Sequence, residues 1–370
     1  MKVADVAVTI EKMIPLEFAQ DWDNVGLLIG DPQNTVKAIL LTIDITKEVV
    51  SEAMKQKVDL IVSYHPVIWD GLKKITAGAS TGIVYELIRS GIAVFSMHTA
   101  LDAATGGVND GLAEIIGLRD AKPIGDYVDF LAGTTYRLVV FVPVDAVTTV
   151  AQAVFAAGAG AMGNYSKCSF QSAGTGTFLP LRGAKPAFGK RGNFESVPEV
   201  RFETVVGADK LEAVIAALRE AHPYETPAFD VLKLHNEQDK VGLGRIGPLI
   251  QPSPMKQIIA RIKKHTGAKA IGVVGDEKRL VKTAAVCAGS CGKIIDAVIA
   301  AKADLYITGE LKHHQALAAE QAGVTCLCLS HTVSERFILK KLARQLRKHI
   351  KPVTIKISKQ DKDPFKWKNV

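Results

Sequence analysis

The sequence has 370 residues, 48% hydrophobic and 23% charged, with a formal net charge of +8. That length exceeds what one hydrophobic core usually serves, so more than one domain is expected, and the composition excludes a disordered or fibrous chain. No apolar run approaches the ~20 residues a membrane helix needs.

The opening MKVADVAVTIEKM carries Asp5 and Glu11 where a secretory leader needs an uncharged apolar stretch, and it reads as a helix. Five cysteines, an odd number in mostly apolar contexts, offer no disulfide framework, so a reducing cytoplasm is the expected location. VKAILLTID (36–44) predicts a buried strand, TKEVVSEAMKQK a helix, DLIVSYHP a strand and STGIVYELIRSG a helix. GIAVFSMH is the next strand, leading into the helix of ATGGVNDGLAEIIG. Short apolar strands alternating with helices specify a parallel sheet.

The texture then changes. YRLVVFVPV reads as a strand, VTTVAQAVFAAG as a helix, and the stretch from FQSAGTGTF to FESVP as a Gly- and Pro-punctuated hairpin region. VRFETVVG, KLEAVIAALREAH and FDVLKL follow as strand, helix and strand. The order β-α-β-β-α-β is that of a ferredoxin-like unit. After about residue 250 the first rhythm resumes: PMKQIIARIKKH (helix), AIGVVG and KTAAVCAG (strands), CGKIIDAVIAAK (helix), ADLYITGE (strand), HHQALAAEQAG (helix), VTCLCLSH (strand) and SERFILKKLARQLRKH (last long helix). The expected fold class is therefore α/β, two parallel-sheet halves forming one unit (1–132 and 240–370). It is interrupted by a ferredoxin-like α+β insert (133–239), with NEQDK (236–240) as the polar re-entry segment.

Much of the positive charge sits at the C-terminal end, in RFILKKLARQLRKHIK and in Lys356, Lys359, Lys362, Lys366 and Lys368. Phe337, Leu339 and Leu342 make it the solvated side of an amphipathic helix. A polyanion-binding role is the alternative, weakened because aromatic residues are not interleaved with the charges.

Ligands of an open α/β sheet bind beyond the carboxyl ends of its strands. Three apolar runs end alike: DLIVSY in His65, GIAVFSM in His98 with Asp102 four residues on, and VTCLCLS in His331 with Glu335 four residues on. The i,i+4 spacing puts His331 and Glu335 on one helix face. Taken singly, each has an ordinary role: a strand-end histidine as a hydrogen-bonded loop residue, Asp102 as a helix cap, Glu335 as a partner of the helix dipole. Repetition across separate strand ends favours a divalent cation (Zn, Fe, Mn or similar) held by imidazoles and carboxylates.

DWDNVGLLIGD (21–31), VDLIVSYHP (58–66), SMHTALDAATGGVND (96–110), VCAGSCGK (286–293), ITGELKHH (307–314) and SHTVSER (330–336) together resemble the Nif-three-like proteins, labelled GTP cyclohydrolase type 2 homologues. AHPYETPAFDV in the insert resembles the CutA/PII class. The resemblance implies a dinuclear metal centre in a toroidal homohexamer, with His65, Asp102, His331 and Glu335 as ligands and His98 beside or among them. Where many bacterial members have two adjacent histidines before the proline, this chain has Tyr64-His65-Pro66. A phenol, titrating near pH 10, is a poor ligand at neutral pH, so one or two ions per chain are expected.

Among secondary candidates, Glu310 and His314 (with His313) could reach substrate from the rim or begin a helix. Asp44 either faces the rim or caps a helix. Asp23 and Asn24 are expected to shape the site by hydrogen bonds. The glycines of VCAGSCG are a weak phosphate cradle, and GLGRIG (242–247) lacks the strand and helix of a dinucleotide turn. Cys287 and Cys291, and Cys326 and Cys328, read as core thiols. His222 and Glu225 read as a turn after a helix rather than a metal site.

The expected function is a metal-dependent hydrolase, with Glu335 catalytic, acting through a metal-activated water on a nucleotide or other anionic, phosphate-bearing heterocycle. A non-catalytic metal-binding or delivery protein and a nucleic-acid-associated ring remain the alternatives.

Overall fold

The computed structural model describes residues 1–78, 81–128, 135–162, 165–234 and 241–366; NEQDK and Lys368 lie outside them. Two compact units divide the chain: Met1–Val128 with Lys240–Val370, and Asp129–Asp239.

The first part of the larger unit contains α1 (Val3–Met13), β1 (Gly26–Ile29), β2 (Ala38–Thr42), α2 (Lys47–Lys55), β3 (Leu60–Ser63), α3 (Gly82–Arg89), β4 (Ala93–Ser96), α4 (His98–Ala103), α5 (Val108–Ile116) and β5 (Lys122–Val128). The smaller unit contains β6 (Thr135–Pro143), α6 (Val147–Ala156), β7 (Ser169–Phe178), β8 (Glu195–Gly207), α7 (Leu211–Ala221) and β9 (Phe229–Lys233). The larger unit resumes with β10 (Val241–Pro254), α8 (Met255–Thr266), β11 (Gly272–Val274), β12 (Leu280–Cys287), α9 (Ile295–Ala300) and β13 (Leu305–Thr308). It ends with α10 (His313–Gln321), β14 (Thr325–Cys328), α11 (His331–Arg336), α12 (Ile338–His349) and β15 (Thr354–Ile357).

Successive side chains of a strand point to opposite faces, so a strand buried on both sides reads as an unbroken apolar run. In the sheet ordered β1-β4-β3-β2-β15, Ile39, Leu41, Leu60, Val62 and Phe95 enter a central core. Leu40, Ile61 and Val94 instead face an outer core that α2 and α3 close through Val49, Val50, Ala53, Val84 and Leu87. The sheet ordered β11-β14-β13-β12-β10-β5 repeats the arrangement. Its Ala284, Val286, Leu305, Ile307 and Leu327 join the same central core, whereas Ala285, Cys287, Tyr306 and Cys326 face outward under α9 and α10. Between the sheets, α1, α5, α8 and α12 contribute Val6, Ile10, Leu112, Ile116, Ile258, Ile262, Leu339, Leu342 and Leu346.

Each α/β half is built on parallel strands, as expected, with antiparallel strands added beside them. β15, β2, β3 and β4 are parallel, as are β12, β13 and β14, but β1, β11, β10 and β5 are antiparallel to their neighbours. Antiparallel strands commonly finish a parallel sheet because they need no helical crossover. GLGRIG lies inside β10. The basic end is also more ordered than a tail. α12 exposes Lys340, Arg344 and Lys348 opposite its buried stripe, and the chain then returns as β15 alongside β2. Asp361 fastens the return, accepting from the Ile43 amide at 3.1 Å and from Arg336 Nη2 at 2.7 Å.

In the smaller unit the order is β7-β8-β6-β9, with antiparallel neighbours throughout. Leu138, Val140, Val142 and Phe202 pack with Val150 and Val154 of α6 and Val214 and Leu218 of α7.

Candidate metal centre

The carboxyl ends of both parallel ribbons meet at one place. The ladder continues just past the strands and fixes the backbone there. The His65 amide donates to Ile43 O (3.0 Å), His98 to Tyr64 O (2.9 Å), Ser330 to Gly309 O (3.0 Å) and Gly309 to Gly289 O (3.0 Å). Two non-glycine residues at this rim have positive φ, His98 at 23° and Ser330 at 73°. Such backbone costs on the order of 1–3 kcal/mol and persists where the surroundings over-determine it.

Among the described residues, one ligand atom from each of His65, His331 and Glu335 lies within 4.8 Å of the other two. His65 Nδ1 is 2.8 Å from Asp44 Oδ1, and His331 Nδ1 is 3.0 Å from Glu310 Oε1. Each carboxylate accepts from the Nδ1–H, so in its neutral form each imidazole directs its Nε2 lone pair inward, the arrangement that orients histidine ligands of metals. Those nitrogens lie 3.6 Å (His65) and 3.2 Å (His331) from the Glu335 oxygens. Glu335 is buried, and its Oε2 has no hydrogen-bond partner. A buried carboxylate oxygen left unpaired is costly, and a cation at that point would satisfy it.

Room for the cluster comes from Gly289, where a Cβ would stand 2.6 Å from Glu335 Oε1 and 3.5 Å from His331 Nε2. Its amide donates to Ser334 Oγ (2.9 Å), whose hydroxyl donates to His331 O (2.7 Å), tying the strand end to α11. Two imidazoles and one carboxylate form the donor set of a catalytic zinc site or a non-haem iron site. The residues therefore fit a divalent cation.

His98 and Asp102 share α4. The His98 ring centroid is 5.2 Å from that of His65, and its Nδ1 is held 2.8 Å from Asp23 Oδ1. Tyr64, fully buried, donates its hydroxyl proton to Asp102 Oδ1. Trp22 and Trp69, 61% and 51% exposed, make edge-on contacts with His98. Behind the site Asn109, completely buried, donates to Leu243 O (2.7 Å) and accepts from the Ala288 amide (2.8 Å).

Charge is shared unevenly. The hydrogen bond with Glu335, reinforced by Glu310 against burial, raises His331 to about 10. Burial opposes charge on His65, yet Asp44 and Glu335 outweigh it and raise its pKa. Burial pushes Asp102 up to about 7, aided by Glu335 and opposed by the Tyr64 hydrogen bond. Burial beside Asp102 and Glu335 moves the Tyr64 phenol well above its ordinary value.

The family model described as Duf34/NIF3 (NGG1p interacting factor 3) matches residues 1–364. The chain belongs to this family. Similar proteins named GTP cyclohydrolase 1 type 2 homolog occur in Mycobacterium leprae, 37% identical across 94% of this chain and 90% of that one, and in Bacillus subtilis, 35% identical across 96% and 95%. A Bacillus cereus protein related to NIF3 has a solved structure with TM-score 0.79, 34% identity and 99% coverage of both chains.

In this Duf34/NIF3 chain, the tertiary structure brings His65, His331 and Glu335 together, with Asp102, Tyr64 and His98 against them. Asp44 meets His65 and is not the helix cap, which is Thr46. Asp23 bonds His98, and Glu310, expected at the substrate, is bonded to His331. His314 is exposed on the first turn of α10, and no hydrogen bond, ion pair or ring contact joins it to the cluster among the described residues. His222 Nε2 bonds Phe141 O and its Nδ1 accepts from the Tyr224 amide, while Glu225 accepts from Lys185. Residue patterns missed Ser334, Asn109 and the two tryptophans. VCAGSCG carried a signal for Gly289, whose lack of a side chain serves Glu335 and His331.

Proposed function

We propose that the protein is a divalent-metal-dependent hydrolase acting on a nucleotide or other phosphate-bearing heterocycle. The observation that carries this reading is buried Glu335, whose Oε1 faces His331 Nε2 and whose Oε2, without a hydrogen-bond partner, faces His65 Nε2, both histidines being backed by carboxylates. His65 Nε2, His331 Nε2 and Glu335 would hold the ion. When bound, the ion supplies Lewis acidity and lowers the pKa of a coordinated water toward ~7. Asp44 and Glu310 keep both imidazoles in the ligating tautomer. His98, its Nδ1 committed to Asp23, has Nε2 for proton transfer, and Glu335 Oε1 is the second proton-handling atom. Trp22 and Trp69 offer flat apolar walls to a heterocycle, and the net charge of +8 suits an anion. The names of the relatives agree with this substrate class. Assembly as a toroidal homohexamer belongs to the same proposal, and light scattering of the purified chain tests it.

The decisive experiment is elemental analysis of wild-type, His65→Ala and Glu335→Ala proteins beside a turnover panel of nucleoside phosphates with added Zn, Mn or Fe. Metal lost from both variants with turnover only in the wild type supports the proposal. Metal bound without turnover of any substrate leaves a metal-binding protein and removes the hydrolase.

A further inference from the structure

Resting on that metal-site reading, we infer that each chain holds one cation, not two, because the Tyr64–Asp102 pair fills the place a second would need. Asp102 is buried beside the cluster and bonded to Tyr64, whereas Asp23, its side chain also buried, is committed to His98, so a second ion would have to draw on Asp102 together with Glu335 and the side chain at position 64. That side chain is a fully buried phenol whose hydroxyl donates to Asp102 Oδ1.

Length makes the substitution specific. A tyrosine hydroxyl stands about 2 Å further from the backbone than an imidazole Nε2, close to one metal–nitrogen bond. The Tyr64 hydroxyl therefore lies where an ion bridging residue 64 and Asp102 would lie, and its proton occupies the Asp102 lone pair such an ion would use. The phenol cannot swing clear: its ring is enclosed in the central core and packs edge-on against His65 and His98, at centroid distances of 5.2 and 6.0 Å. The three-ligand set of His65, His331 and Glu335 is independent of this pair, since no atom of Tyr64 or Asp102 belongs to it. Tyr64 thus sets the nuclearity of the site, replacing a second cation by a hydrogen bond to Asp102.

Metal content by elemental analysis after loading with excess Mn(II) and gel filtration tests this, with electron paramagnetic resonance as a second readout. Wild-type and Tyr64→Phe proteins are expected to retain one Mn per chain with the six-line signal of an isolated ion. Tyr64→His, which shortens the side chain and supplies a nitrogen, is expected to retain two with an exchange-coupled signal. Two Mn per wild-type chain would overturn the inference while leaving the metal site intact, whereas none would remove the site itself. One Mn in a folded Tyr64→His protein, its fold checked by circular dichroism, would overturn the role given to Tyr64. If that variant does not fold, the wild-type count and signal decide alone.

Discussion

A methyl group at Gly289 would collide with Glu335 Oε1, and the residue's φ of +71° lies where L side chains are strained. Gly289→Ala is therefore expected to weaken Zn(II) binding by about 10- to 100-fold, the range found when groups supporting a ligand are displaced. Competition titration with a fluorescent chelator measures it, and unchanged affinity would show that Gly289 is not what makes room. Protons compete with the cation at the same atoms. With its pKa raised to about 10, His331 carries a proton at pH 7 before metal binds, and His65 is shifted in the same direction. Ligation requires the neutral imidazole, so binding should release protons and affinity should fall as pH falls, by about tenfold per pH unit for each proton released. Calorimetry at pH 7 in buffers of different ionisation enthalpy counts those protons, and a heat independent of buffer would contradict the charge state.

α5 is tied to two strands by one buried polar side chain. Asn109 satisfies Leu243 O of β10 and the Ala288 amide after β12, so Asn109→Ala strands both polar groups in the interior. Each unpaired buried group costs ~1–3 kcal/mol, so a clear drop in melting temperature is expected, together with faster hydrogen exchange around 241–247 and 286–290. In the smaller unit, α7 ends at His222, which uses both ring nitrogens in its neutral form, Nε2–H toward Phe141 O and Nδ1 accepting from Tyr224. Burial lowers its pKa below 6.5. The stabilisation is complete above the unfolded-state value near 6.5 and is lost as pH falls toward the lowered folded value. Protection of the Tyr224 amide, corrected for intrinsic exchange, should thus decline between pH 7 and 5.5, and His222→Gln should flatten that decline.

Across the larger unit, His65 extends from one sheet and His331 and Glu335 from the end of the other, so a shared cation would staple elements far apart in sequence. A ligand that binds only the folded chain stabilises it by mass action, about 2.7 kcal/mol at a hundredfold excess over Kd. Chelation should lower the wild-type melting temperature and excess Zn(II) restore it, while His331→Ala should respond to neither. Equal shifts in both proteins would place the stabilising metal elsewhere. No described helix is long and apolar enough to cross a membrane.

Apolar runs of four or five residues between helical segments named the strands, because a strand buried on both faces has little sequence freedom. The same runs marked their carboxyl ends, and with them His65, His98 and His331. Glu335 was legible from helical spacing alone. What sequence could not say was which strands run antiparallel, since a short apolar run has the same period in either direction. Nor could it reveal that VTIKI returns as an edge strand beneath a lysine-rich composition. The pairing of Asp44 with His65, Asp23 with His98 and Glu310 with His331 joins residues 21 to 75 positions apart, and Tyr64 meets Asp102 across 38. Such partners are chosen by which strand ends lie side by side within each sheet, with Thr42 opposite Ser63 and Thr308 opposite Cys328, a long-range pairing that local periodicity does not encode.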